Sequence, residues 1–303
     1  NSWADLRTAI FNACTANGWT LTSDVLSKGA AFVRLTVNAA TSGTPAGGVI
    51  LQGGTGYSAG ALVAPSPGRP RLGIPTFNSM AVTFPIIYNI HLFAGPDEVY
   101  VKVRSGTDVF YWLHFSLSGT PGVPGTGLLI AANSNYQGGA SNPGVAITAS
   151  TGGGNSDTSG AILWHSSTIS GNDAVTSTQH VNLDGVVWAN PPSASGFVAG
   201  RLDAMQGATQ LIQASPNAWN GQTPLTPIRG FFARPSNKAS LTLTLKNARY
   251  VRVDNWAPGE IMTLGSDKWM IYPFYRKNTA SRDGNNGAEH TGTFGWAIRY
   301  DGP

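Results

Sequence analysis

Apolar residues near the start of the chain recur every three or four positions: Trp3, Leu6, Ile10 and Cys14, with Phe11 beside Ile10. That spacing lays one apolar stripe along a helix. Ser2 stands where an N-cap belongs, and Asp5 at the third helical position favours the positive helix end. Asn17 and Gly18 supply the stop. A capped helix of about fourteen residues is marginal alone, so its stripe is expected to lie on the sheet of its own domain.

Beyond residue 30 the period changes from helical to two. Residues 31–37 (AFVRLTV) alternate and are β-branched, and residues 48–52 (GVILQ) form a shorter run. The Gly-rich GGTGY at 53–57 lacks the Lys-Ser/Thr of a phosphate loop, so no nucleotide site is expected there. The Pro-rich stretch 59–75 reads as a surface loop and residues 84–93 as a buried strand. Residues 98–104 and 109–117 flank SGTD, a four-residue hairpin connection. In the first of them Val99, Val101 and Val103 share one face and Tyr100, Lys102 and Arg104 the other. Residues 81–118 therefore predict three antiparallel strands covered by the opening helix, an α+β unit over 1–118.

Four Gly and two Pro within residues 119–127 mark the expected domain boundary. Beyond it strands are expected at 128–130, 161–164, 181–187, 231–232 and 241–245; LTLTL at 241–245 alternates most cleanly, and 249–253 continues it. The end of the chain reads as a hairpin, 261–264 and 268–272 around Gly265-Ser266-Asp267, and a last strand over 293–300. The polar loop 278–289 (NTASRDGNNGAE) has no large apolar anchor; it is expected to project into solvent or to be ordered by another chain. The fold class is thus mainly β (α+β): a helix on an antiparallel sheet, then a β-sandwich-like second half, 119–303, with long Gly-rich loops and a basic assembly segment at 229–303.

Residues 263–269 (TLGSDKW), 272–278 (YPFYRKN) and 290–300 (HTGTFGWAIRY) resemble virion structural proteins of tailed bacteriophages and prophages. Residues 12–21 (NACTANGWTL) and 84–92 (FPIIYNIHL) are similar to the same group. The likeness covers both ends of the chain and carries no catalytic motif. It implies a virion component assembled in the bacterial cytoplasm and leaves its position in the particle open; the placement expected first is the tail or baseplate, with a head or head–tail joint position as the alternative.

Composition narrows the picture further. Charged residues make up only 11% of the chain and Gly numbers 38, yet nine Trp, nine Tyr and twelve Phe supply too much buriable surface for a disordered tail. A neutral polar surface repels copies of itself weakly, which suits packing in an assembly. The lone Cys14 rules out an intramolecular disulfide and fits a reducing compartment. No run of eighteen apolar residues and no basic-then-apolar start is present, so neither a membrane helix nor a signal peptide is expected. Of the net charge of +4, residues 229–303 carry eleven Lys/Arg against six Asp/Glu, dispersed instead of clustered, so no specific nucleic-acid contact is expected.

Catalytic patterns are missing. His91, His114, His165, His180 and His290 show no metal-ligand spacing, and His91 and His114 read as core or cross-strand histidines. Glu98, Glu260 and Glu289 are the only glutamates; Asp97 and Glu98 sit side by side in a turn, and nothing selects a pair such as Asp184 with Asp203. No Gly-x-Ser-x-Gly elbow occurs, so the expectation is a non-enzymatic protein without metal or cofactor. Its partners are then copies of itself and neighbouring virion proteins. Interfaces concentrate binding in Trp, Tyr and Arg, which selects Trp269, Tyr272, Tyr275, Arg276, Arg282 and Arg299 as subunit contacts. The tryptophans otherwise read as core; an exposed one such as Trp219 would stack on a sugar ring and make the chain a glycan-binding module of the tail tip.

Overall fold

The computed structural model describes residues 2–41, 47–73, 82–107, 109–133, 135–138, 142–145, 177–191, 198–203, 223–253, 256–274 and 294–302. Helix α1 (Trp3–Ala16) starts as its cap dictates: the Asp5 N–H donates to Ser2 Oγ at 3.1 Å, and Asn17 closes it. Trp3, Leu6, Ile10, Phe11 and Cys14 are all buried, the stripe that the spacing predicts. Burial pushes the Cys14 thiol up to about 12.

The first sheet follows: β1 (Thr20–Thr22), β2 (Val25–Lys28), β3 (Ala31–Asn38) and β4 (Gly48–Gly54). A ribbon of β5 (Gly56–Ser58) and β6 (Ala61–Val63) interrupts it before β7 (Arg71–Gly73) completes the order β1-β2-β3-β4-β7. The Pro-rich stretch expected as loop thus holds two short strands, each too brief to show a period of two.

The central sheet runs β15-β14-β11-β10-β9-β8. Its members are β8 (Ile87–Phe93), β9 (Glu98–Ser105), β10 (Val109–Leu117), β11 (Leu128–Ala132), β14 (Ser177–Leu183) and β15 (Val186–Ala189), with a ribbon of β12 (Asn135–Gly138) and β13 (Asn142–Val145) inserted. Residues 119–127, expected to separate domains, connect two strands paired in this one sheet, from Leu113↔Ala132 to Leu117↔Leu128. The strand expected at 181–187 is a hairpin. Asp184 and Gly185 both take positive φ, 49° and 79°, the geometry that an Asp-Gly dipeptide favours between strands. Strand β8 begins at Ile87 and is an edge strand with Ile87 and Tyr88 exposed, where residues 84–93 read as buried.

The third sheet, β16-β17-β18-β21-β20-β19, comprises β16 (Leu202–Asp203), β17 (Thr226–Arg234), β18 (Lys238–Arg252), β19 (Ile261–Leu264), β20 (Asp267–Pro273) and β21 (Phe294–Arg299). The alternation at 241–245 that 249–253 continues is one strand, β18, whose register against β17 shifts between Pro227 and Arg229. The strand expected at 161–164 and the loop 278–289 lie outside the described residues.

Side-chain alternation distributes the central sheet between two cores. Val99, Val101, Val103, Tyr111, Leu113 and Phe115 pack with α1 and the first sheet. Tyr100, Trp112, Leu129, Ala131 and Val181 pack instead with the third sheet, against Leu243, Tyr250, Phe274 and Trp296. Covered on both faces, β10 is buried over residues 110–116 without a break. A smaller core of Val251, Met262, Trp269 and Ile271 lies on the opposite face of the third sheet.

Candidate functional site at the open rim

The chemistry of this chain collects on the face of the central sheet that meets the third sheet. Register puts Asn89, Lys102 and Trp112 in one row across β8, β9 and β10, and His91, Tyr100 and His114 in the next. Glu98 begins β9 two residues from Tyr100, so it shares that face. It is wholly buried, not in a turn.

Five donors converge on the Glu98 carboxylate. Ser118 Oγ and the Lys246 N–H reach Oε1 at 2.6 and 2.8 Å; the Tyr100 hydroxyl, the Asn247 N–H and Asn247 Nδ2 reach Oε2 at 2.9 Å. Residues 246 and 247 sit at the register shift of β18, and β21 joins β18 only from Ala248 onwards. The carboxylate therefore satisfies backbone donors that the sheet itself leaves unpaired.

His114 is stacked on Tyr100 with centroids 4.4 Å apart. Its Nδ1 lies 2.9 Å from the Val99 carbonyl, which only accepts, so Nδ1 carries the proton and Nε2 accepts from Ser116 Oγ at 3.0 Å. Burial, and secondarily the Lys102 charge, pushes His114 down to about 3. The same two causes push His91 down to about 4, and its Nε2 lies 2.9 Å from the Tyr272 hydroxyl. Burial raises Tyr272 itself well above the usual phenol range.

Lys102 is the group without a match. It is 3% exposed, and Nζ stands 3.5 Å above the Trp296 ring, 5.6 Å from that of Trp112 and 6.0 Å from that of Tyr100. Among the described residues nothing hydrogen-bonds Nζ, and burial holds the amine well below the usual lysine range. Beside it opens a cleft of about 100 Å³, walled by Ile87 and Asn89 of β8, Lys102 and Arg104 of β9, and Pro258 and Tyr272 of the third-sheet side. The buried Nε of Arg104 likewise has no partner among the described residues. The cleft lies at the rim where the edge strand β8 meets the side of the third sheet that ends in β19.

Of the residues selected as subunit contacts, Trp269 and Tyr272 are buried within the chain, 6% and 5% exposed. Trp269 packs in the outer core of the third sheet under the Arg249 guanidinium, 5.2 Å from its centroid, and Tyr272 faces His91 and the cleft. Arg299 keeps a half-exposed side chain beside Asp301 (3.3 Å) and Asp267 (3.9 Å). Tyr275, Arg276, Arg282 and Trp219 lie outside the described residues. Trp3, Trp19, Trp112, Trp188 and Trp296 are buried, as the core reading expects, and Trp256 is half-buried. Asp184 is engaged by Arg234 at 2.5 and 2.7 Å.

Sequence reading missed Lys102 and Glu98 as site residues. Their signal was parity: both alternate with valines in a strand whose neighbour, YWLHF at 111–115, is apolar on both faces. Compared with known proteins, the chain matches no family model and no curated protein.

Proposed function

We propose that this chain is a non-enzymatic structural component of a tailed-phage virion, placed in the tail or baseplate, that works by docking to sister chains and neighbouring virion proteins. One observation carries the docking part. Of the eight large apolar side chains exposed among the described residues, seven sit on strands at a sheet edge or in the β5–β6 ribbon: Leu21, Val63, Ile87, Tyr88, Val187, Ile261 and Leu264. An edge strand offers unpaired N–H and C=O groups, and solitary domains usually guard it with charge, proline or a covering loop. Here Ile87 is 62% and Leu264 59% exposed, on the edges of two different sheets. Strand addition at such edges combines backbone hydrogen bonds with side-chain pockets. The low charge of the chain fits the same reading, and the phage placement rests on the resemblance of its two ends. The β-sandwich-like second half enters the proposal as the third sheet backed by the central one, which leaves its β19 edge outermost.

Sedimentation velocity of the purified chain tests the docking. A defined oligomer is expected at micromolar concentration, and Ile87→Lys with Leu264→Lys is expected to dissociate it while leaving the unfolding free energy of the chain within about 0.5 kcal/mol of wild type. A monomer at every concentration, unaffected by these substitutions, refutes the docking. Immunogold labelling of virions tests placement: label on the tail supports it, label on the head moves the chain to the joint or capsid, and an unlabelled particle ends the virion reading.

A further inference from the structure

We propose that the cleft between β8 and β20 is a binding site for one small carboxylate with a short apolar tail, held by Lys102 and Arg104. Unmatched donors gather around Lys102: Lys102 Nζ, Arg104 Nε and the indole Nε1 atoms of Trp112 and Trp296 are buried and have no acceptor among the described residues. Two of the four, Lys102 and Arg104, line the cleft directly. Buried donors are almost always matched, so a cluster without acceptors beside a cavity marks a place for a ligand that accepts. An amine this far from water is costly as a lone cation and is relieved by an anion that enters with it.

Size and lining select the ligand. About 100 Å³ accommodates an anion of two to four heavy atoms beyond its carboxylate carbon, well below the roughly 300 Å³ of a site for a drug-sized ligand. Ile87, Phe110 and Pro258 also line the cleft and favour an apolar tail. A doubly charged phosphate meets the same two cations but costs more to take out of water. The carboxylate comes either from a free small acid or from an Asp or Glu side chain of a second copy inserted at the open edge. The proposal stands without the docking reading, since a monomer carries the whole cleft.

The test uses the full ¹⁵N-labelled chain, titrated with sodium propionate against sodium chloride at constant ionic strength. The tryptophan indole N–H signals are the readout, with Trp296 and Trp112 identified from Trp→Phe variants. Propionate is expected to shift the Trp296 signal saturably at millimolar concentration, where chloride does not. Arg104→Gln is expected to weaken binding about tenfold, the loss of one charge-assisted hydrogen bond. Lys102→Met is expected to abolish it, while folding as well as wild type or better, because an apolar side chain of similar length removes an unmatched buried amine. No saturable shift in wild type, or the same shift in Lys102→Met, overturns the site. Sedimentation in the same propionate series identifies the source. An unchanged mass assigns a free acid; a fall in mass assigns a carboxylate of a second copy that propionate displaces.

Discussion

Removing the Glu98 carboxylate tests how the third sheet is fastened to the central one. Its five donors differ in what they can do once it is gone. The Ser118 and Tyr100 hydroxyls rotate, whereas the N–H groups of Lys246 and Asn247 are fixed by the backbone, and Asn247 Nδ2 is held by a buried side chain. Glu98→Ala strands those three; at about 1–3 kcal/mol for each unmatched buried donor, and with losses that do not add fully, the cost is about 4 kcal/mol. Glu98→Gln keeps an oxygen for the group at Oε2 and turns an amide NH₂ towards Ser118 and Lys246. Ser118 then accepts in place of donating, only the Lys246 N–H is stranded, and the cost is about 2 kcal/mol.

Urea unfolding followed by circular dichroism gives both values. Native-state amide exchange adds a local readout, since Lys246 and Asn247 should lose protection in Glu98→Ala beyond the fall of the global stability. A domain with a typical stability of roughly 5–15 kcal/mol remains folded through either change. An alanine variant within about 1 kcal/mol of wild type refutes the fastening, and so does a glutamine variant as costly as alanine.

Two further outcomes follow from the same face. His91 and His114 have folded pKa values of about 4 and about 3, below the ordinary value, so each contributes stability that is complete above that ordinary value and is lost as pH falls towards the folded one. Between pH 7.5 and 5 each costs about 2 kcal/mol, and a His91→Gln/His114→Gln protein that keeps the full acid slope of wild type would falsify the assignment. In β21, a methyl group on Gly295 would fall on the Tyr272 carbonyl oxygen and 2.6 Å from Val253 Cγ1. Gly295→Ala is expected to lose roughly 3 kcal/mol by overpacking, and thermal unfolding unchanged from wild type counts against the close approach of β20 and β21.

Much of the fold was legible because each element carries its own local signal. The Ser2 cap, the three-four stripe of α1 and the Asn17-Gly18 stop sit within eighteen residues, and the structure places the helix between them. The hairpin of β19 and β20 shows itself through Gly265, which takes φ 62° at the turn. What failed depends on neighbours distant in sequence. Nothing within Ile87–Phe93 tells that no strand lies beyond it, so an apolar run on an edge reads as interior. The register shift in β18 depends on β17 and on Glu98, some 150 residues earlier, and so the strand is legible from the sequence while its shift is not. Lys102 looks like part of a solvated face until the third sheet covers it; its burial is a property of the layer order, which no local pattern encodes.

That layer order explains why the interior of this protein holds polar groups at all. Two apolar faces slide past one another at little cost, whereas matched polar pairs admit one register. The central and third sheets are joined by such pairs. Gln179 and Thr242 exchange hydrogen bonds of 2.9 Å, Asn133 donates to the Phe274 carbonyl at 3.2 Å, His91 meets Tyr272, and Glu98 gathers Lys246 and Asn247. These pairs across the layers give the stack one geometry. Lys102 belongs to the same face and joins no such pair, with aromatic rings around it and no acceptor among the described residues. Methionine would fill that space with less penalty, so an amine kept there is better explained by what enters the cleft than by what holds the sheets together.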